Sequence, residues 1–171
     1  MPEPVSLATA KAQARVLDTS EDALIGGYIK AAREIVENES GHILVQRPLT
    51  QTFDRFSSFL ELHHRPIVSV GSIAYTDASG AAQTIASFVT TERRYPLRIY
   101  PAYNAWWPSI RSNTLVEVTY TAGYEPGEEP QQLIQAMMLL IAAMHSNRGS
   151  IPDETMKAVR SLCDQFRAPG L

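Results

Sequence analysis

QQLIQAMMLLIAAMHSN, residues 131–147, is the run on which the rest of the architecture turns. Apolar residues fill it from Ala136 to Met144, with Gln131, Gln132 and Gln135 confined to its start. A one-sided surface helix would keep a polar face along its whole length. A bilayer-spanning helix needs about 20 apolar residues, more than this run holds. The pattern therefore predicts a central helix packed on several sides. Pro130 suits a first-turn position, and Gly149, after Arg148, suits a helix stop. Elsewhere the chain must cover this helix or reach outward from it.

Immediately downstream, Ser150 with Asp153 resembles a capping box in which Asp replaces the usual Glu. A last helix is expected over residues 152–167, with Met156, Val159, Leu162, Cys163 and Phe166 on one apolar stripe. The tail, Ala168-Pro169-Gly170-Leu171, is not helical. Upstream, Gly123 to Glu129 is a polar loop. Leu115 to Thr121 is the clearest strand: Val116, Val118 and Tyr120 face one way, Glu117 and Thr119 the other. Strand-like runs fill residues 44–121. They are Thr50 to Arg55, Phe59 to Leu62, Ile67 to Tyr75 with a bulge at Gly71, Ala82 to Ile85, Phe88 to Thr91 and Leu97 to Tyr100. Asp77-Ala78-Ser79-Gly80 is a hairpin turn.

Near the start, Leu7 to Leu17 favours helix by composition, and Ser6 can cap it. A longer helix follows over Glu21 to Glu39, with its apolar stripe on Leu24, Ile25, Tyr28, Ile29, Ala32, Ile35 and Val36. Lys30, Arg33, Glu34, Glu37 and Asn38 lie off the stripe. Gly26-Gly27 costs about 1 kcal/mol per glycine relative to alanine; a close helix crossing would explain it. Gly41 suits the left-handed end of this helix. The fold class is thus α+β, mainly helical: helices at both ends around a central helix, with one small antiparallel sheet inserted. A single domain is expected over residues 1–171, with a helical core in 6–43 and 130–167, a β insertion in 44–121 and a tail in 168–171.

The 171 residues are 44% hydrophobic and 19% charged, enough for a core and unlike a disordered chain. A net charge of −3 and a pI near 5.8 argue against a general nucleic-acid binder. Cys163 is the one cysteine, so no intrachain disulfide forms and a reducing compartment fits. The first residues, MPEPVSLATAKAQ, hold no apolar signal core, so a soluble chain not exported by itself is expected.

Chemistry is sparse. His63 and His64 are adjacent, and neighbours on a strand point to opposite faces, which suits a metal poorly. His42 and His145 lie at helix ends, where an imidazolium favours the dipole. Cys163 sits on an apolar stripe as a buried thiol. Glu34 and Glu37 read as a solvated helix face. No serine has a nucleophile-elbow context, and no glycine-rich loop has phosphate-cradling spacing. The unusual stretch is RRYPLRIYPAYNAWWPSIR, Arg93 to Arg111. It holds both tryptophans, three tyrosines, three prolines and four arginines. Trp106 and Trp107 could plug the open end of the sheet. Arg93, Arg94, Tyr95, Tyr103, Trp106, Trp107 and Arg111 could equally form a protein interface, where such residues are the enriched anchors. They could also stack nucleic-acid bases.

Three blocks, taken in order, carry a family resemblance. The first is Leu7, Ala10-Lys11, Glu21-Asp22-Ala23-Leu24-Ile25, Ile29, Ala31-Ala32-Arg33, Glu37, and Ser40-Gly41-His42-Ile43-Leu44 with Gln46. The second is Pro66-Ile67-Val68-Ser69-Val70 with Tyr75, Asp77 and Gly80. The third is Val116-Glu117-Val118-Thr119-Tyr120-Thr121-Ala122-Gly123-Tyr124, then Pro130, Leu133-Ile134, Ala136 and Asn147-Arg148. Together they resemble the head–tail connector (adaptor, head-completion) proteins of tailed phages and gene transfer agents. His42 departs from the arginine common after the glycine, and His145 stands near a position that is often aromatic. The aromatic stretch falls in the family's variable region.

The resemblance implies a non-enzymatic virion protein with no cofactor and no membrane contact. It implies a self-assembled ring, typically twelve-fold, docking under the portal protein and receiving a stopper or tail-terminator protein. Its place would be the head–tail neck, with the host cytoplasm before assembly. DNA would pass through the channel without sequence-specific binding. The second helix and the sheet are expected to build subunit contacts. The last helix and its tail, with Arg160, Gln165, Phe166, Arg167 and Leu171, are expected to meet the portal. The competing expectation is a monomeric module holding nucleic acid or peptide on residues 93–111.

Overall fold

The computed structural model describes residues 2–91 and 95–167. The chain divides into two compact units. One joins the residues up to Val45 with those from Tyr124 onward, and the other is Gln46–Gly123.

The first unit holds four helices: α1 (Leu7–Ala14), α2 (Asp22–Ser40), α3 (Gln131–Ser146) and α4 (Asp153–Asp164). The apolar run becomes α3, which touches α1, α2 and α4. Leu133, Met137, Leu140 and Ile141 on α3 are fully buried with Ile25, Val36, Leu44, Val159 and Cys163. This is where most of the unit's hydrophobic stabilisation arises.

The helix ends follow local chemistry, with corrections. Ser6 caps α1: its Oγ accepts from the Thr9 amide at 3.1 Å. The helix stops at Ala14, short of the expected Leu17. Arg15 turns left-handed at φ 57°, and the Val16 amide returns to the Lys11 carbonyl at 3.0 Å. Leu17 is left 98% exposed. Gly41 ends α2 in the left-handed conformation, as expected. Pro130 flanks α3 rather than opening its first turn. The stop after α3 begins at Arg148, φ 52°, one residue before Gly149. The Gly149 amide then closes on the Met144 carbonyl at 2.7 Å, a Schellman arrangement. Ser150 does not cap α4. Pro152 flanks that helix without a side-chain cap, and Asp153 and Glu154 supply negative charge to its first turn.

A helix crossing does not explain Gly26-Gly27 among the described residues: a Cβ built on either glycine meets nothing within 4 Å. Gly27 is exposed. Gly27→Ala is therefore expected to raise the stability of the isolated chain by about 1 kcal/mol, because alanine loses less backbone entropy in a helix. Urea denaturation measures it; an unchanged or lower midpoint would contradict the open-space reading.

The second unit is all β. Its strands are β1 (Arg47–Phe53), β2 (Leu60–Leu62), β3 (Ile67–Thr76), β4 (Ala82–Ile85), β5 (Phe88–Thr90), β6 (Leu97–Pro101) and β7 (Val116–Ala122). They form two antiparallel sheets where one was expected, in the orders β1-β7-β3-β4 and β2-β6-β5. β7 and β3 are the inner strands of the first sheet, and β6 is the middle strand of the second. The alternation on β7 is as read: Val116, Val118 and Tyr120 are buried, Glu117 and Thr119 exposed. The register of β3 on β7 shifts between Val70 and Ser72. This is the bulge at Gly71, where a Cβ would stand 3.1 Å from the Thr119 carbonyl oxygen. With about 34% helix and 26% strand, the chain is α+β but not mainly helical. No helix among the described residues is long and apolar enough to cross a membrane.

Candidate interaction surfaces

The aromatic stretch is partly anchored and partly bare. β6 delivers the chain at Pro101 into a loop that returns at Ile110, which bridges Asp77. The loop is held by a turn, with the Ala105 amide on the Ala102 carbonyl at 3.0 Å. Asn104 there takes the left-handed conformation, φ 60°, which its short amide side chain tolerates. Trp107 stacks on Phe56 at 4.7 Å with an interplanar angle of 7°. Phe56 in turn meets Tyr75 of β3 edge-on at 5.7 Å. The Trp107 Nε1–H is buried with no hydrogen-bond partner among the described residues. Trp106 and Tyr103 stand out in solvent, 92% and 86% exposed. The two tryptophans therefore do not plug a sheet together. Consecutive side chains diverge, and only Trp107 packs.

Of the stretch's four arginines, Arg98 and Arg111 lie among the described residues. Arg98 pairs with Glu61 at 2.8 Å and lies over the Phe59 ring at 4.3 Å. The Arg111 amide donates to the Thr76 carbonyl at 3.0 Å. Its guanidinium occupies the space a Cβ on Gly80 would need, 2.8 Å away. The Tyr95 hydroxyl donates to the His63 carbonyl at 2.6 Å, and the Arg65 guanidinium covers its ring at 4.0 Å. Desolvation raises the Tyr95 pKa, and Arg65 partly opposes it. Arg93 and Arg94 lie outside the described residues. At the nearby β3–β4 turn, Asp77 accepts from the Ser79 hydroxyl, Gln83 Nε2 and the Ala81 amide. These bonds hold its carboxyl down to about 2.

The residues expected to meet a portal already have partners within the chain. Arg160 reaches Glu39 at 3.3 Å. Arg167 bonds both the carbonyl and the carboxylate of Glu39. Phe166 meets the His42 ring edge-on at 5.4 Å. Gln165 bonds Gln132 and the Leu162 carbonyl. Leu171 lies outside the described residues. Glu39, which gathers Arg160 of α4 and Arg167 just beyond it, carried no signal in the sequence, because its partners lie over 120 positions away.

Two further sequence expectations change, at His42 and Glu37. His42 is not a solvent-facing dipole cap: it is buried, with Nδ1 2.6 Å from the Tyr124 hydroxyl. His145 does lie in the last turn of α3, where its Nε2 meets Glu21 at 2.9 Å. Glu37 is not on a solvated face. It is 6% exposed and accepts from the Leu44 amide at 2.8 Å and from Arg33 at 3.2 Å. His64 Nδ1 lies 2.6 Å from the Tyr120 hydroxyl. Burial pushes that hydroxyl up to about 12. Cys163 is buried as expected, its thiol pushed up to about 11 by desolvation first and by Glu39 next.

A different hollow opens on the helical unit. Leu139, Ala142 and Ala143 of α3 and Thr155 and Ala158 of α4 line an open cleft of about 450 Å³, with Ser146, Asn147 and Glu154 among its polar groups. Alanines on both helices leave the space unfilled.

The comparisons agree with the resemblance read from the sequence. A family model described as phage gp6-like head-tail connector protein matches residues 4–84, from before α1 into β4. No curated protein sequence matches the chain. Among solved structures, a chain from the neck of an empty gene transfer agent (GTA) particle, computed with C6 symmetry, superposes with a TM-score of 0.81. It is 24% identical, with 98% of this chain and 91% of that chain covered. A chain from the virion of a native gene transfer agent particle gives 0.80 at 22% identity, with the same coverage. A chain from the neck of a native particle computed with C12 symmetry gives 0.75 at 24% identity, covering 99% and 96%. At these identities the structures establish the fold. Their coverage extends over the third sequence block, which the family model leaves out.

Proposed function

We propose, from the connector-family match over residues 4–84 and the full-length likeness to neck components, that this chain is a structural adaptor of the head–tail neck. It forms a ring in a phage or phage-like particle, docks under the portal protein, and receives the stopper or tail. The observation that carries the reading is the likeness over nearly the whole of both chains, helices and sheets together. A closed ring of identical chains needs a head-to-tail interface. The net charge of −3 suits a channel component that lets DNA slide, where a basic lining would hold phosphates. The role requires no catalysis.

The portal contact is assigned to the end of α4 with the tail beyond it. Docking there would exchange the contacts of Arg160 and Arg167 with Glu39 for contacts with the portal. The nucleic-acid alternative is weaker, because Arg98 is paired with Glu61 and residues 99–110 carry no charge.

Electron microscopy of particles from a strain lacking this chain, beside its parent, tests the role. DNA-filled heads that leak and carry no tails are expected. Normally tailed, infectious or transducing particles would reject it. A chain ending at Phe166 that still docks on portals would move the portal contact elsewhere.

A further inference from the structure

The bare half of the aromatic loop packs on nothing among the described residues. Trp106 and Tyr103 are almost fully exposed, whereas a packed indole normally buries 150–250 Å². The loop is also pre-shaped. Trp107 clamps it to Phe56, and the Ala102–Ala105 turn fixes its tip. Little ordering entropy would remain to be lost on docking. From Pro101 to Ile110 it contains no charged residue, so it could enter an apolar site without stripping water from an ion.

The chain also carries a site of the matching kind. The α3–α4 cleft has apolar walls from Leu139, Ala142, Ala143 and Ala158, with Glu154 and Asn147 beside them as hydrogen-bond acceptors. An indole needs an apolar bed and one acceptor for its N–H. A ring made by a heterologous contact requires each copy to present both halves of that contact on different surfaces.

We infer that Trp106, with Tyr103 beside it, seats in the α3–α4 cleft of the neighbouring copy and locks adjacent subunits of the ring. The occupant of the cleft is a second copy of this chain. This chain itself supplies both the projecting aromatic and the hollow, and phosphate-bearing partners find no cation between Pro101 and Ile110. The inference rests on the ring reading above.

Paired cysteines test it. Trp106→Cys with Ala143→Cys is introduced into the full chain, incorporated into particles, and oxidised. Cys163 is buried and its raised thiol pKa keeps it out of the reaction. The expected result is a ladder of disulfide-linked copies of this chain, absent from each single variant. Trp106→Ala should raise the concentration needed for ring assembly about 30-fold, as for an interface hot spot, with the melting temperature of the isolated chain unchanged. Rings that form without a ladder, with Trp106→Ala assembling like the parent, would overturn this contact and leave the ring reading standing. Cross-links from position 106 to a different protein would also overturn it. Rings absent altogether, with normal tails in the deletion strain, would overturn the ring reading itself.

Discussion

Leu140→Ala is expected to destabilise the helical unit by about 3–5 kcal/mol. Leu140 sits in the middle of α3 and is fully buried. The helix touches α1, α2 and α4, so the hole left by three lost carbons and their hydrogens faces side chains from several helices at once. Such a site cannot collapse from one side, and the residual cavity adds to the lost transfer energy. Leu139, the next residue, lines the open cleft and is only partly buried. Leu139→Ala should cost about 1 kcal/mol, in proportion to the apolar area it removes from contact. Far-UV circular dichroism in urea follows both, since all the helices among the described residues lie in this unit. Equal midpoints for the two variants would show that α3 is not packed as described.

The next largest effect belongs to Glu37. Its carboxylate is buried where the chain leaves α2. There it accepts from the Leu44 amide and from Arg33. Arg33 also pairs with Glu3 at 2.9 Å. Glu37→Ala removes an acceptor from a buried amide and a counter-charge from an arginine whose side chain is 15% exposed. Arg33 keeps Glu3, but the Leu44 amide is left without this acceptor, so the change costs about 2–3 kcal/mol. Glu37→Gln keeps an acceptor for the Leu44 amide and loses only the ionic part, so it should cost about half as much. Glu34→Ala, at an exposed position of the same helix, should stay within about 0.5 kcal/mol. If Glu37→Ala behaved like Glu34→Ala, the buried carboxylate would have no structural role.

What the sequence determined by itself was local. Ser6, Gly41, the Asp77–Gly80 turn and the Gly71 bulge follow from the dihedral preferences and hydrogen-bonding reach of single residues. The strand run on β7 follows from its period of two, and α3 from an apolar run too long for a strand. Ordered motifs spread along the chain also made the connector resemblance legible, although each block alone is weak. Tertiary structure decided what depends on residues far apart. β7 has to find β1 and β3 across tens of residues, so the split into two sheets has no local signature. Glu37 reads as a surface residue by helical spacing, and only the return of the chain at Leu44 buries it. Trp106 and Trp107 are identical side chains in adjacent positions. The one that packs is the one that meets Phe56, and the other stands in solvent. Periodicity and capping fix elements because their energies act within a few residues. Burial, ion pairing and exposure are set by neighbours that the fold brings together.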